Sequence, residues 1–177
     1  MKIVPTRRTD YAVRALLYLA QHPGSMAKAA DIAEAMNIPT GFLHQVLHEL
    51  QRARLVLSRP GRSGGYSLAR PAADISLLDV VETLEGPLAP DECGLRGGPC
   101  RWEDACALHA TWTAAREALA NELRAANLAR LAADDLALAG GRGADGRPGT
   151  ELALVGDSIM ATGCAEARPR HGRASTR

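Results

Sequence analysis

Residues 40–69, TGFLHQVLHELQRARLVLSRPGRSGGYSLA, decide the fold. Apolar residues recur at Phe42, Leu43, Val46, Leu47 and Leu50, the three- and four-residue steps of one helical face. A helix is therefore expected from about Thr40, as its cap, to about Ala53. His44, Gln45, His48 and Arg52 fall off that stripe. LVLS (55–58) then reads as a strand, RPGRSGG (59–65) as a tight glycine-rich turn, and YSLA (66–69) as the returning strand. A hairpin with Arg59 and Arg62 at its tip, directly after such a helix, is a wing. Gly64 and Gly65, beside Ser63, carry no side chain, so the wing backbone is expected to approach phosphates closely.

Working outward, TDYAVRALLYLAQ (9–21) has Tyr11, Ala12, Ala15, Leu16 and Leu19 on one helical face, with Thr9 or Asp10 placed to cap it. AKAADIAEAM (about 27–36) is a second helix burying Ala30, Ile32, Ala33 and Met36, and Asn37-Ile38-Pro39 is a short break. Two helices about such a turn, the second with a polar outer face, describe a helix-turn-helix. Any helical hairpin shares that pattern; the wing sharpens it. ISLLDVVETLE (75–85) is a further helix, with Ser76 near its start and Gly86-Pro87 as its stop.

A cysteine loop follows, and then one long helix to about Ala133, with Leu108, Trp112, Ala115, Leu119, Leu123 and Ala126 along its stripe. No other large element is left to cover that stripe, so burial against a second subunit is expected. The expected organisation is a DNA-binding domain over 1–86, a cysteine-rich loop over 87–106, a dimerisation helix over 107–135 and a disordered tail over 136–177. The tail is rich in Gly, Ala and Arg and lacks sustained periodicity. The fold class is mainly α with a small β-hairpin, a winged helix-turn-helix.

Charge supports a polyanion partner. A net charge of +1 over 177 residues hides ten Lys/Arg against five acids in residues 1–75, and five Arg against eleven acids in residues 76–135. The apolar run AVRALLYLA is interrupted by Arg14, is too short to span a bilayer and has no small-residue cleavage site. A cytoplasmic location, without membrane association, is expected. There, clustered thiols serve as metal ligands or redox sensors more often than as disulfides.

Those thiols are Cys93, Cys100 and Cys106, in CGLRGGPCRWEDACALH (93–109). Soft thiolates so close together, in a loop punctuated by Gly97, Gly98 and Pro99, suit a thiolate-ligated metal or an iron–sulfur centre. His109 stands three residues after Cys106, and residues so spaced share a helical face. Bland readings remain beside these: Asp10 as a helix cap, His109 as a solvated first-turn residue, Cys164 as a free thiol.

Wing, following helix, cysteine loop and long helix, with TDYAVRALLYLA ahead, resemble the IscR/NsrR-type family of bacterial winged-helix regulators over about residues 1–135. The resemblance implies a homodimer with crossing long helices, a palindromic double-stranded DNA operator, and a cluster, 2Fe-2S or 4Fe-4S, on Cys93, Cys100 and Cys106. It offers two fourth ligands: His109, which is favoured, or Asp10 from the other subunit. It also implies a repressor that senses nitric oxide, redox state or cluster supply. Three departures stand out. One extra residue lies between Cys93 and Cys100, Arg54 occupies a position where a glycine usually ends the recognition helix, and His44 stands where a base-selecting glutamate is found.

DNA contact is expected to divide by role. Thr40, Phe42, His44 and Gln45 are placed to reach major-groove base edges. Arg7, Arg8, Lys28, Arg52 and Arg59 would neutralise phosphate, and Arg62 would enter a narrow minor groove. Phe42 serves equally well as core. Zinc, or thiol–disulfide chemistry among the cysteines, is the competing reading of the switch. No phosphate-binding glycine loop, paired catalytic carboxylates or nucleophile–base motif argues for an enzyme or a small-molecule substrate.

Overall fold

The structure is a computed structural model that describes residues 5–88, 93 and 106–140. The described elements are α1 (Arg7–Gln21), α2 (Ala29–Ala35), α3 (Thr40–Arg52), β1 (Val56–Arg59), β2 (Gly65–Leu68), α4 (Leu77–Glu85), α5 (His109–Ala125) and α6 (Leu128–Gly140). A 3-10 turn, Ala72–Asp74, leads into α4.

Helical stripes read from the sequence meet in one core. Leu16 of α1, Ile32 of α2, Leu43, Leu47 and Leu50 of α3, and Leu55, Ile75 and Leu128 are all fully buried. β1 and β2 pair antiparallel, Val56 against Leu68 and Arg59 against Gly65. Ala27, just before α2, adds an isolated bridge on the other side of β2 by pairing with Tyr66: Ala27 N–H donates to the Tyr66 carbonyl at 2.9 Å, and Tyr66 N–H donates back at 2.8 Å. The wing is thereby stitched to the start of α2.

Several details differ from the sequence expectation. α1 starts at Arg7 with Thr6 in the cap position, so Thr9 and Asp10 lie inside the helix rather than capping it. Thr9 is buried and donates its hydroxyl to Glu85, while Asp10 pairs with Arg14 one turn on. Pro39, not Thr40, is the cap of α3, its carbonyl accepting from Phe42 and Leu43 N–H at 3.0 Å each. In the second helix Ala30 is exposed, and Ala27 takes the buried place. Phe42 leaves the α3 core stripe and is 55% exposed, because Leu43, Val46, Leu47 and Leu50 already fill the inward face.

The single long helix expected over 107–135 is two helices, α5 and α6. Backbone pairing with the start of α4 breaks it. Leu77 N–H donates to the Ala126 carbonyl at 2.7 Å, and Leu128 N–H donates to the Ile75 carbonyl at 2.9 Å. Asn127 then caps the new helix, its Oδ1 accepting from Arg130 N–H at 2.9 Å. The turn lets Leu128 and Ala132 enter the core beside α1. Gln21 Nε2 donates to Asp135 at 2.9 Å farther along the same contact. α6 extends into the stretch expected to be tail; residues 141–177, with Cys164, lie outside the described residues.

Candidate nucleic-acid interface and cysteine centre

α3 keeps its apolar side in the core, so its opposite side presents Thr40, Phe42, His44, Gln45, His48 and Arg52, all exposed. Polar side chains able to donate and accept at base edges are what a major-groove helix needs. Phe42 also leans on Tyr11 of α1, ring centroids 6.2 Å apart and tilted by 51°. Arg7 and Arg8 stand on the first turn of α1, and Arg8 is already paired with Glu49 of α3. Of these two, Arg7 has the charge uncommitted to that pair, and Arg8 braces α1 against α3.

At the end of α3, Arg54 adopts the left-handed backbone conformation, φ 58°. That conformation favours glycine, which explains physically why a glycine would suit the position.

The wing places Arg59, Arg62 and Ser63 in solvent. Its glycines have an internal role that the sequence did not signal. A Cβ on Gly64 would sit 2.0 Å from the Arg59 carbonyl oxygen, and one on Gly65 would sit 2.4 Å from that of Ala27. Both glycines make room for the chain's own backbone. Lys28 likewise has partners within the wing: its ammonium donates to the carbonyls of Gly61 at 3.1 Å and Arg62 at 2.8 Å.

Of the cysteine set, Cys93 and Cys106 are half-buried, whereas Cys100 lies outside the described residues. His109 opens α5, and its N–H donates to the Cys106 carbonyl at 3.0 Å, a backbone turn that places Cys106 just ahead of the helix. Asp10 is held by Arg14 through two contacts, 3.0 Å from Nε and 2.7 Å from Nη2. Among the described residues no three metal-ligating side chains gather at one point. One turn beyond His109, Trp112 Nε1 and Thr113 Oγ1 are buried without a hydrogen-bond partner among the described residues. By residue type the two thiols and the imidazole could serve as ligands of an iron–sulfur or zinc centre, but the described residues do not bring three of them together.

The sequence profile of the Rrf2 family, described as an iron-dependent transcriptional regulator, matches residues 5–134. The chain belongs to the Rrf2 family. Its relatives include a helix-turn-helix-type transcriptional regulator of Mycobacterium tuberculosis, 40% identical over 127 residues, which are 71% of this chain and 78% of the relative. Among solved structures, CymR, the global cysteine regulator of B. subtilis, matches with a TM-score of 0.62 at 26% identity, covering 75% of this chain and 98% of CymR. IscR of T. potens matches with a TM-score of 0.60 at 27% identity, covering 76% and 89%. The resemblance to IscR-type regulators thus falls within Rrf2, whose winged-helix fold the chain shares. This Rrf2 protein is a DNA-binding transcriptional regulator, not an enzyme. Among the described residues no helix is long and apolar enough to cross a membrane.

Sequence reasoning on this Rrf2 chain missed one prominent polar contact. Glu85, the last residue of α4, accepts from Thr6 N–H at 2.9 Å, Thr6 Oγ1 at 2.6 Å and Thr9 Oγ1. The Thr6 hydroxyl chiefly, then Thr9 and the Thr6 N–H, hold its carboxyl below the usual carboxylate range, and the Arg8 charge adds to this. Glu85 thereby supplies the cap that α1 lacks from its own side chains. Its partners lie more than seventy positions away in the sequence, so no local spacing signals the contact.

Proposed function

We propose that this Rrf2 protein is a cytoplasmic homodimeric repressor whose hold on a palindromic operator is controlled by an iron–sulfur cluster, 2Fe-2S or 4Fe-4S. Cys93, Cys100 and Cys106 would hold the cluster with His109 or Asp10. When bound, the cluster supplies iron that reacts with nitric oxide or oxidants. The observation that carries the reading is that Cys106 and His109 stand three residues apart on the backbone turn that leads into α5. His109 is the preferred fourth ligand because Asp10 would first have to release Arg14.

α5 supports the dimer. It is 17 residues long, yet Arg116 is its only residue that counts as buried, and Trp112, Leu119 and Leu123 stay half-exposed along one side. A second α5 would cover them, and two α3 helices would then address two half-sites. Thr40, Phe42, His44 and Gln45 read bases, while Arg7, Arg52, Arg59 and Arg62 add phosphate or minor-groove contacts beside Ser63. A tenfold change in operator occupancy needs only about 1.4 kcal/mol of differential binding between cluster-loaded and cluster-free forms.

A second reading, zinc or a thiol–disulfide switch on the same cysteines, draws on the likeness to CymR, a cysteine regulator. Anaerobic purification separates them: an iron–sulfur protein is brown with iron and sulfide in matching amounts, and a zinc or dithiol protein is colourless. His109→Ala and Asp10→Ala variants, compared by visible and Mössbauer spectra, identify the fourth ligand. A colourless, iron-free protein with intact thiols would overturn the cluster.

A further inference from the structure

The chain carries nineteen arginines and two lysines, Lys2 and Lys28. The single lysine among the described residues sits where a compact ammonium, with three donors on a flexible stem, has two carbonyls to satisfy. Those carbonyls, of Gly61 and Arg62, belong to the tip of the wing. The Gly61 carbonyl is doubly used, since Gly64 N–H also donates to it at 3.1 Å. The turn is folded so tightly that Gly64 admits no Cβ beside the Arg59 carbonyl. Lys28 is anchored in turn, because its neighbour Ala27 is paired with Tyr66, one position from the Arg59–Gly65 pair that closes the turn. The turn and the strand that leaves it are thus both tied to the segment that begins α2.

Lys28 does little for α2 itself. An ammonium has no lone pair, so the cap position is served only by the reciprocal contact, Lys28 N–H to Asp31 Oδ2 at 3.4 Å. The charge is spent on the wing.

We propose that Lys28 is a positioning residue for DNA binding, a strut that holds the wing tip in place and so presents Arg62 and Arg59 to the duplex. It acts through the wing carbonyls instead of touching phosphate. The inference rests on the reading that the wing contacts DNA. Charge-assisted hydrogen bonds to carbonyls are strong and directional. Because Lys28 and the turn are exposed, water replaces those bonds readily when they are lost, and the fold is hardly affected. What is lost is order in the wing, and that ordering must then be supplied when DNA binds.

A double-mutant cycle on the full chain tests this, using Lys28→Met, Arg62→Ala and the double variant against a random-sequence DNA duplex at low salt. Arg62→Ala should weaken binding about fivefold and lower the salt-dependence slope by about one. Lys28→Met should weaken binding about threefold while its melting temperature stays within about 2 °C of wild type. The double variant should bind no more than about twofold more weakly than the weaker single variant, because both changes act through one wing. Losses that multiply, to about fifteenfold, would make Lys28 an independent phosphate contact and overturn the strut while the wing reading stood. Unchanged binding by Lys28→Met would overturn the strut alone. Unchanged binding by Arg62→Ala would remove the wing reading, and the strut with it.

Discussion

α3 and α5 are both amphipathic helices, and they use their apolar sides in opposite ways. α3 has 13 residues and buries Leu43, Val46, Leu47 and Leu50 completely within its own chain. α5 has 17 residues and leaves Leu119 and Leu123 half-exposed, with Leu108 just ahead of it 55% exposed. A helix that satisfies its apolar side internally is free to devote its outer side to a ligand. A helix that does not still has a surface to cover, and in α5 that helix begins on the turn joining Cys106 to His109. Under the proposed function, reading would fall to α3 and coupling to α5.

The sharpest way to break this contrast acts at the base of α5. Cys106→Ser should abolish iron binding in anaerobic preparations, and with it the response of DNA binding to nitric oxide or oxidant. Brown protein retaining full iron would remove Cys106 from the ligand set. On the α3 side, Leu47→Ala should cost roughly 2–5 kcal/mol in urea unfolding, whatever the protein concentration, because it opens a cavity in the core. Charges on α5, as Leu119→Glu with Leu123→Glu, should instead yield a monomer by sedimentation and weaken operator binding about a hundredfold through lost bivalency. A charged α5 that still sedimented as a dimer would show that another surface joins the subunits.

Two smaller effects lie outside α5, at the end of α3 and at the end of α4. Arg54→Gly should raise stability by about 0.5–1 kcal/mol, because it relieves a left-handed residue at the end of α3. No gain would mean that Arg54 makes a compensating contact. The smallest effect is expected at Glu85, whose carboxyl is held below its ordinary range by Thr6 and Thr9. A carboxyl whose folded value is depressed stabilises the fold above its unfolded pKa, and that contribution vanishes as pH falls through the folded value. Glu85→Gln should therefore lower the urea midpoint at neutral pH and match wild type in acid. A deficit independent of pH would show that the contact does not depend on the charge.

Much of the reading helix and wing was legible because their signals are local. The stripe at Leu43, Val46, Leu47 and Leu50, the Ser76 cap and the Gly86 stop all act within a turn or two, and the structure has each of them. Ser76 accepts from Asp79 N–H at 3.1 Å, as its place ahead of an apolar run implied. The glycine-rich turn was legible as a turn but not in its purpose. Whether a missing Cβ makes room for phosphate or for the Ala27 carbonyl depends on what lies opposite. The same holds for Lys28 and Arg8, two charges whose partners are known only once the chain is packed, whereas the Asp10–Arg14 pair is a single turn apart on α1.

The amino-acid order alone determined the helix-turn-helix, the hairpin after it and the spacing of thiols with His109, because periodicity and chain separation are properties of neighbours. Only the packed chain decided that residues 107–135 divide at Asn127, that Phe42 faces outward and that Glu85 caps a helix far from it in sequence. Each of these turns on a contact between distant segments. A backbone pair at Ile75 and Leu128, or a carboxylate facing two threonines, outweighs local helical preference once burial makes unmet hydrogen bonds costly.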